Sequence, residues 1–153
     1  GGVGSFAVQI ATSLGARVLG TASEANHDYL RSLVAEPFTY GDGLVDRVRS
    51  VVPDGVTAVF DTNGSDLGVS PDLLAESSAG RIVSIIDPAV KEMGGQYVFV
   101  HPDVDDLNEL AGLFDDGSLK VEIASTYALA DTQKAWEESQ GGHTRGKIVI
   151  TVD

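Results

Sequence analysis

Cysteine is absent from the sequence, and positive charge is scarce. Among the 153 residues, 10 Lys and Arg face 23 Asp and Glu, so the formal net charge is −13. The absence of cysteine excludes a disulfide framework, a thiolate zinc site and a cysteine nucleophile. The shortage of positive charge argues against a nucleic-acid-binding domain, whose footprint is a basic patch, and against an anionic membrane surface. We therefore expect neither a nucleic acid nor a membrane as partner.

Long apolar runs and recognisable catalytic motifs are also lacking. Runs such as residues 82–86 are far too short to span a bilayer, and no signal peptide is visible, so we expect a cytoplasmic protein. The three histidines, His27, His101 and His143, lie far apart without metal-ligand spacing. Neither a nucleophile elbow nor a P-loop motif occurs. We therefore predict no metal site and assign no catalytic residue.

Short apolar segments alternate with segments of helical period along the whole chain. This alternation predicts βαβ units and an α/β fold with a doubly wound parallel sheet. The predicted strands are residues 16–21, 37–40, 56–60, 80–86, 97–100 and 147–152, and the predicted helices are 5–14, 24–34, 43–52, 66–77, 103–114 and 130–140. Ser23 is placed to cap the second helix, and Pro71 suits a first helical turn. Residues 121–127 and 147–152 have no obvious partner strands.

A glycine turn opens the first helix. The run Gly2-Val3-Gly4-Ser5-Phe6-Ala7 fits G-x-G-x-x-G/A, in which the glycines let the backbone approach a pyrophosphate at the helix N-terminus. The helix, strand and second helix that follow favour this interpretation over a simple capping turn. Gly2, Val3 and Gly4 are therefore candidate cofactor contacts. Such a turn normally follows a strand, and none precedes it here, so we interpret the chain as truncated at its N-terminus.

The residues at the end of the predicted strand 16–21 bear on the choice between NADH and NADPH. NAD-binding domains place a carboxylate there to hold the ribose 2′-hydroxyl. Here the strand ends at residues 20–23, and the first carboxylate is Glu24. Ser23, Asn26 and His27 offer donors for a 2′-phosphate, so we predict NADPH over NADH. The alternative for His27 is an exposed helical histidine without a partner.

Two loops follow predicted strands where open α/β sheets bind ligands. Residues 61–64 follow one strand and residues 84–88 follow the next, so both loops are candidate cofactor contacts. The alternative for Asp61 is that its side chain forms the turn itself.

Five ordered blocks resemble the medium-chain dehydrogenase/reductase superfamily, and within it the zinc-independent quinone oxidoreductase branch. The blocks are GGVGSFAVQ (1–9) with GARVLGT (15–21), FDTNG (60–64), GRIVS (80–84), YVFVHP (97–102) and GKIVI (146–150). The resemblance covers essentially the whole chain. It implies a Rossmann-type fold and an NADPH-dependent oxidoreductase that passes hydride to a quinone, an enone or a related carbonyl compound.

The resemblance also implies positions for the cofactor. Ser23, Asn26 and His27 would hold the 2′-phosphate together with Tyr40, although relatives often have lysine in place of His27. Asn63 would lie near the nicotinamide ribose, where relatives more often have an aliphatic residue. The remaining implied cofactor contacts are Phe99, Val100, Arg145, Gly146 and Lys147.

Parts of that family are expected to be missing from this chain, namely the first Rossmann strand and a GroES-like barrel domain. Residues 1–118 would then be an incomplete dinucleotide-binding domain, and residues 119–153 a segment that returns to the absent catalytic domain. We expect such a piece alone to be inactive. The run Leu33-Val34-Ala35 stands where the family usually has a glycine at the end of the second helix, so we expect the loss of a left-handed C-cap. The apolar edge at residues 97–100 predicts a homodimer of the intact protein.

Two alternatives stay open at this point. One is a zinc-independent enoyl reductase or alcohol dehydrogenase of the same superfamily, whose distinguishing residues would lie outside this chain. The other is a non-catalytic dinucleotide-sensing domain, which oxidation of NADPH by a quinone would distinguish from an enzyme.

Overall fold

The computed structural model describes residues 1–152. The strands are β1 (Leu19–Thr21), β2 (Glu36–Phe38), β3 (Val59–Asp61), β4 (Ile82–Ser84), β5 (Gln96–Tyr97), β6 (Ile123–Ala128) and β7 (Lys147–Thr151). The helices are α1 (Gly4–Ser13), α2 (His27–Ser32), α3 (Leu44–Arg49), α4 (Ser70–Leu73), α5 (Val104–Asp115) and α6 (Thr132–Gln140). The named strands pair as β1–β2, β3–β4–β5 and β6–β7, and each of these pairs is parallel. This confirms the predicted α/β class.

The chain folds as two compact units. Unit 1 consists of Gly1–Val18, Ser32–Ala35 and the chain from Asp103 onward. Unit 2 consists of Leu19–Arg31 and Glu36–Pro102. The sequence-based boundary after residue 118 stays a prediction.

Unit 2 has its core against the central strand β4. Ile82 is 1% exposed and packs with three other buried residues, Leu67, Leu74 and Val90. A second cluster forms around α3, where Leu44 and Val48 stand four residues apart on one helical face. These apolar contacts fix the helices against strands that are only two or three residues long.

Unit 1 contains the βαβ unit formed by β6, α6 and β7. Its parallel register runs from Ile123 opposite Lys147 to Ala128 opposite Thr151, with an irregularity near Ser125. The expectation that residues 121–127 and 147–152 lack partner strands is therefore wrong, because the two segments pair with each other. Helix α6 lies between them and provides the crossover that parallel pairing requires.

The predicted helix at residues 66–77 is broken into short pieces. Pro71 lies in the first turn of α4, as predicted, but α4 ends at Leu73. Leu74 is extended because it pairs with Val56 in an isolated parallel bridge, in which the Ala75 N–H donates to the Val56 carbonyl at 2.8 Å. Tertiary pairing therefore overrides the helical period of this segment.

The predicted strand at residues 97–100 is also shorter in the structure. Strand β5 ends at Tyr97, and the Val98 N–H still donates to the Ser84 carbonyl at 2.9 Å. Phe99 and Val100 lie beyond the strand and are 74% and 76% exposed.

The turn after α2 keeps a left-handed residue despite the missing glycine. Val34 has φ 64° and is 75% exposed. The expected loss of the left-handed C-cap is therefore wrong. A β-branched residue in this region is strained, by about 1–2 kcal/mol, because its Cβ crowds the backbone.

Candidate cofactor site

The glycine turn of unit 1 leads directly into α1. The Phe6 and Ala7 N–H groups donate to the Val3 carbonyl at 3.0 and 3.1 Å, and the Ser5 hydroxyl donates to the Gly1 carbonyl at 2.9 Å. Val3 occupies the N-cap position without a side-chain cap. The first N–H groups of a helix have no acceptor within it, so this end offers donors and a positive dipole to an anion.

Gly146 and Lys147 come close to this turn within unit 1. A β-carbon at Gly2 would lie 3.2 Å from the Gly146 carbonyl oxygen and 3.2 Å from Lys147 Nζ. Lys147 Nζ also lies 5.5 Å from the centre of the Phe6 ring, in cation–π range. The structure thus gathers a helix N-terminus, a glycine at which a β-carbon would be tightly packed, and a lysine cation.

Arg145 and Gly146 are held by Glu122 in the same unit. Arg145 Nη2 lies 3.5 Å from Glu122 Oε1, and the Lys147 N–H donates to the Glu122 carbonyl at 2.8 Å. Gly146 has φ 95°, and its α-carbon packs so closely on the Glu122 carbonyl that a side chain would collide with it. These contacts set the backbone from which the Lys147 side chain extends toward Gly2.

Ser23, Asn26 and His27 are neighbours in unit 2, after the end of β1. Asn26 Nδ2 donates to Ser23 Oγ at 3.1 Å, and His27 Nε2 lies 3.3 Å from the Ala22 carbonyl oxygen. The prediction that the Ser23 hydroxyl caps the helix is wrong, because that oxygen accepts from the Asn26 side chain and makes no cap hydrogen bond. A serine hydroxyl used in this way keeps its own proton for donation.

Tyr40 lies on a loop that Arg47 holds from α3. The Arg47 guanidinium donates to the Thr39 carbonyl at 2.6 Å and to the Asp42 carbonyl at 2.7 Å, while the Gly41 N–H donates to Asp66 Oδ1 at 3.1 Å. The Tyr40 side chain remains half exposed. Sequence reasoning missed Arg47, because a lone arginine on a helix carries no motif.

The loops after β3 and β4 are organised by Asp61 and Ser84. Asp61 Oδ1 accepts from the Asn63 and Gly64 N–H groups at 3.1 and 2.7 Å, and Asp61 Oδ2 accepts from Ser84 Oγ at 2.7 Å. Of the two interpretations of Asp61, these contacts favour the turn former. Asn63 itself is exposed at the tip of the loop.

The candidate residues therefore fall into separate groups. Unit 1 holds Gly2, Val3 and Gly4 and brings Gly2 together with Gly146 and Lys147. Unit 1 also holds Arg145. Unit 2 holds the remaining candidates, of which Ser23, Asn26 and His27 contact one another or the backbone beside them. The cofactor-binding roles of all these residues, in both units, stay predictions.

Within residues 1–152, no group of three or more His, Asp or Glu side chains is placed to hold a metal ion. The helices formed by these residues include none that is both long and apolar enough to cross a bilayer.

Comparison with known proteins places the chain in a family. The family model described as zinc-binding dehydrogenase matches residues 34–150. The chain is 26% identical over 162 residues to the chloroplast envelope quinone oxidoreductase homolog of Arabidopsis thaliana, covering 98% of the chain and 49% of that protein. It is 24% identical over 182 residues to the mitochondrial NAD(P)H oxidoreductase RTN4IP1 of Homo sapiens, covering 99% of the chain and 46% of that protein.

A solved structure gives the same result at higher identity. The quinone oxidoreductase from Coxiella burnetii superposes with a TM-score of 0.86 and 31% sequence identity, covering 99% of this chain and 50% of that one. The chain thus spans about half the length of the relatives it matches. Together with the parallel strands and the glycine turn, these matches show that the chain belongs to the zinc-binding dehydrogenase family, as a quinone oxidoreductase-like member of the medium-chain dehydrogenase/reductase superfamily.

Proposed function

We propose that this chain is the cofactor-binding part of an NADPH-dependent oxidoreductase that reduces a quinone, an enone or a similar carbonyl compound. The observation that carries the proposal is the position of Lys147 Nζ beside Gly2, where α1 begins. When bound, NADPH supplies the hydride, and the protein contributes binding and orientation.

The pyrophosphate of the cofactor fits the glycine turn on chemical grounds. The N-terminus of α1 presents backbone donors and a partial positive charge, and Lys147 adds a full positive charge next to them. The absence of a side chain at Gly2 leaves the backbone open to close approach. These features support a diphosphate ligand of either nicotinamide cofactor.

The preference for NADPH rests on the end of β1. The strand ends at Thr21 and is followed by Ala22 and Ser23, so no carboxylate stands where one would repel a 2′-phosphate. Ser23, Asn26 and His27 provide hydroxyl, amide and imidazole groups there.

We propose a zinc-independent reaction because the sequence blocks resemble the quinone oxidoreductase branch of the superfamily, although the family name includes zinc. The sequence has no cysteine, and residues 1–152 offer no group of three His, Asp or Glu side chains that fits the ion. No catalytic residue is assigned within this chain. An enoyl reductase or alcohol dehydrogenase of the same superfamily remains the alternative reaction, and a dinucleotide sensor the alternative function.

We also propose that the protein is a cytoplasmic homodimer. The exposed apolar side chains of Phe99 and Val100 follow β5, which pairs with β4 on one side only. An open sheet edge of this kind favours pairing with a second copy. Light scattering across the micromolar range tests the proposal, and a monomer mass throughout would contradict it.

Cofactor binding is tested by fluorescence titration with NADPH and NADH. We expect NADPH to bind more tightly, and His27→Asp to weaken NADPH binding at least tenfold, or about 1.4 kcal/mol, by placing a carboxylate beside the 2′-phosphate. The matched control is His143→Asp, which makes the same change of residue in unit 1. Equal affinities for the two cofactors in the unmodified protein would contradict the NADPH assignment.

The pyrophosphate site is tested with a glycine pair. Gly2→Ala puts a β-carbon against the Gly146 carbonyl and Lys147 Nζ, so we expect both cofactors to bind more weakly. Gly112→Ala in α5 is the control, since its β-carbon meets open space. If Gly2→Ala binds as tightly as Gly112→Ala, the turn does not hold the pyrophosphate. Oxidation of NADPH in the presence of quinones, measured on the full-length protein, separates an enzyme from a sensor.

A further inference from the structure

The carboxyl ends of β3 and β4 are joined by one pair of side chains. Asp61 and Ser84 are the last residues of their strands and stand opposite each other in the parallel register. Ser84 has no exposed surface, although it carries a hydroxyl group. A buried polar group at the end of a strand is costly unless its hydrogen bonds are satisfied, so the contacts of Ser84 define its role.

The hydroxyl of Ser84 uses its full hydrogen-bonding capacity. It donates to Asp61 Oδ2 at 2.7 Å and accepts from the Ile86 N–H at 3.2 Å and the Asp87 N–H at 3.0 Å. A serine hydroxyl has one proton and two acceptor positions, and all three are occupied. Ser84 therefore holds the loop that follows its own strand and connects it to Asp61.

The carboxylate of Asp61 does the same for the neighbouring loop. Oδ1 accepts from the Asn63 and Gly64 N–H groups, and Oδ2 receives the Ser84 proton. The chain of bonds continues at Asp87, whose Oδ1 accepts from the Ala89 N–H at 2.9 Å. Four backbone amides in two loops are thus tied to one pair of side chains, buried Ser84 and partly buried Asp61, with charge-assisted bonds at the carboxylate.

We propose that Asp61 and Ser84 are positioning residues that set residues 61–64 and 84–87 in the conformation that receives the cofactor. This inference rests on the proposed function, because these loops follow the carboxyl ends of parallel strands, where open α/β sheets bind ligands. Asp61 accepts three hydrogen bonds from the two loops, so the role assigned to it is to hold these loops. Asn63, at the exposed tip, is the residue whose placement depends on the pair.

Asp61→Asn breaks the connection while keeping the turn. The remaining amide oxygen can still accept from Asn63 and Gly64, whereas the amide NH2 replaces the oxygen that received the Ser84 proton. Ser84 Oγ cannot accept from that NH2 without giving up Ile86 or Asp87. Ser84→Ala removes the connection from the other side. Ser70→Ala is the matched control, since Ser70 is also buried in unit 2 and its hydroxyl donates within its own segment, to the Asp66 carbonyl.

The experiment combines NADPH titration with amide hydrogen exchange. We expect Asp61→Asn and Ser84→Ala each to weaken NADPH binding about tenfold, and the double variant to bind no more weakly than the worse single one, because both remove the same connection. The Ile86 and Asp87 amides should exchange faster in both variants. In the unmodified protein, NADPH should slow exchange at Asn63, Gly64, Ile86 and Asp87, a change that a purely structural role would not produce.

The outcomes distinguish failure of the positioning role of Asp61 and Ser84 from failure of the proposed cofactor-binding function. If the unmodified protein binds NADPH but the four loop amides do not respond, the positioning role is overturned and the proposed function stands. Wild-type affinity in Asp61→Asn, with faster loop exchange, would likewise overturn it. If the unmodified protein binds neither NADPH nor NADH, the proposed function itself fails. A variant that unfolds does not obscure this, because the exchange response is measured on the unmodified protein.

Discussion

Strand β4 in unit 2 and the β6–β7 pair in unit 1 show opposite relations between strand length and burial. Strand β4 has three residues and pairs on both sides, and Ile82 and Ser84 within it are buried. Strands β6 and β7 have six and five residues, yet their side chains are partly or largely exposed. The longer hydrogen-bonded ladder is therefore the less buried one.

The difference shows that the burial of a strand depends on the elements packed around it and not on the length of its hydrogen-bonded ladder. β4 has strands on either side and the buried side chains of Leu67, Leu74 and Val90 around Ile82. The β6–β7 pair has α6 as its crossover, and one residue of that helix, Ala135, is buried. Apolar burial contributes stability in proportion to the area removed from water, so we expect the two regions to respond differently to the same substitution.

The largest effect is expected from truncating the centre of β4. Ile82→Ala removes a side chain that is 1% exposed and leaves a cavity, which costs about 2–5 kcal/mol. Ile150→Ala makes the same change in β7 at 37% exposure and should cost no more than about 1 kcal/mol. Denaturant unfolding of both variants measures the difference. Equal losses would show that β7 is buried as deeply as β4 in solution.

The same comparison explains how far the sequence predicts the fold. The alternation of apolar and helical segments predicts a parallel α/β fold because both periods are local properties of the chain. The bridge between Val56 and Leu74 breaks a predicted helix, and the pairing of β6 with β7 was missed. Both depend on residues that are distant in sequence, which period and propensity do not report.

In the candidate site too, features that depend on residues close in sequence were predicted, and contacts between distant residues were not. The glycine turn is predicted because its function needs glycines at fixed spacing, and Ser23, Asn26 and His27 are close in sequence. The family resemblance implies that Lys147 contacts the cofactor, but the position of Lys147 beside Gly2 was not predicted, since the two residues lie at opposite ends of the chain. The link from Asp61 to Ser84 spans 23 positions and carries no motif.

A smaller, stabilising effect is expected at the turn after α2. Val34→Gly removes the steric strain of a β-branched residue at φ 64°, which should stabilise the fold by about 1 kcal/mol after the greater flexibility of glycine in the unfolded chain is counted. Leu33→Gly, one residue earlier and without a positive φ, gains no such relief and should destabilise. Thermal unfolding of the two variants tests this opposite sign. If Val34→Gly is less stable than the unmodified protein, Val34 is not strained by its positive φ.

The smallest effect is expected in the side-chain network on the exposed β6–β7 pair. Tyr127 OH donates to Glu138 Oε2 at 2.7 Å, and Ser125 Oγ donates to both oxygens of the same carboxylate at 3.0 and 2.9 Å. The hydrogen bond to Glu138 raises the pKa of Tyr127, with smaller contributions from burial and the negative charge of Glu138. The protonated phenol is therefore the form that the folded protein favours.

The sign of the resulting pH dependence follows from that shift. Because the folded pKa of Tyr127 lies above the unfolded value of 10.0, its stabilising contribution is complete below pH 10.0 and is lost as the pH rises through the folded pKa. Glu138→Gln removes the carboxylate charge and weakens the hydrogen bond, so the Tyr127 pKa should fall. Ultraviolet absorbance of the tyrosinate follows the titration, with Tyr127→Phe identifying which transition belongs to Tyr127. Glu137→Gln is the matched control, since Glu137 accepts from Gln133 and not from Tyr127. A Tyr127 transition that is the same in Glu138→Gln and Glu137→Gln would show that the network does not persist in solution, and that β6–β7 is held by its backbone ladder alone.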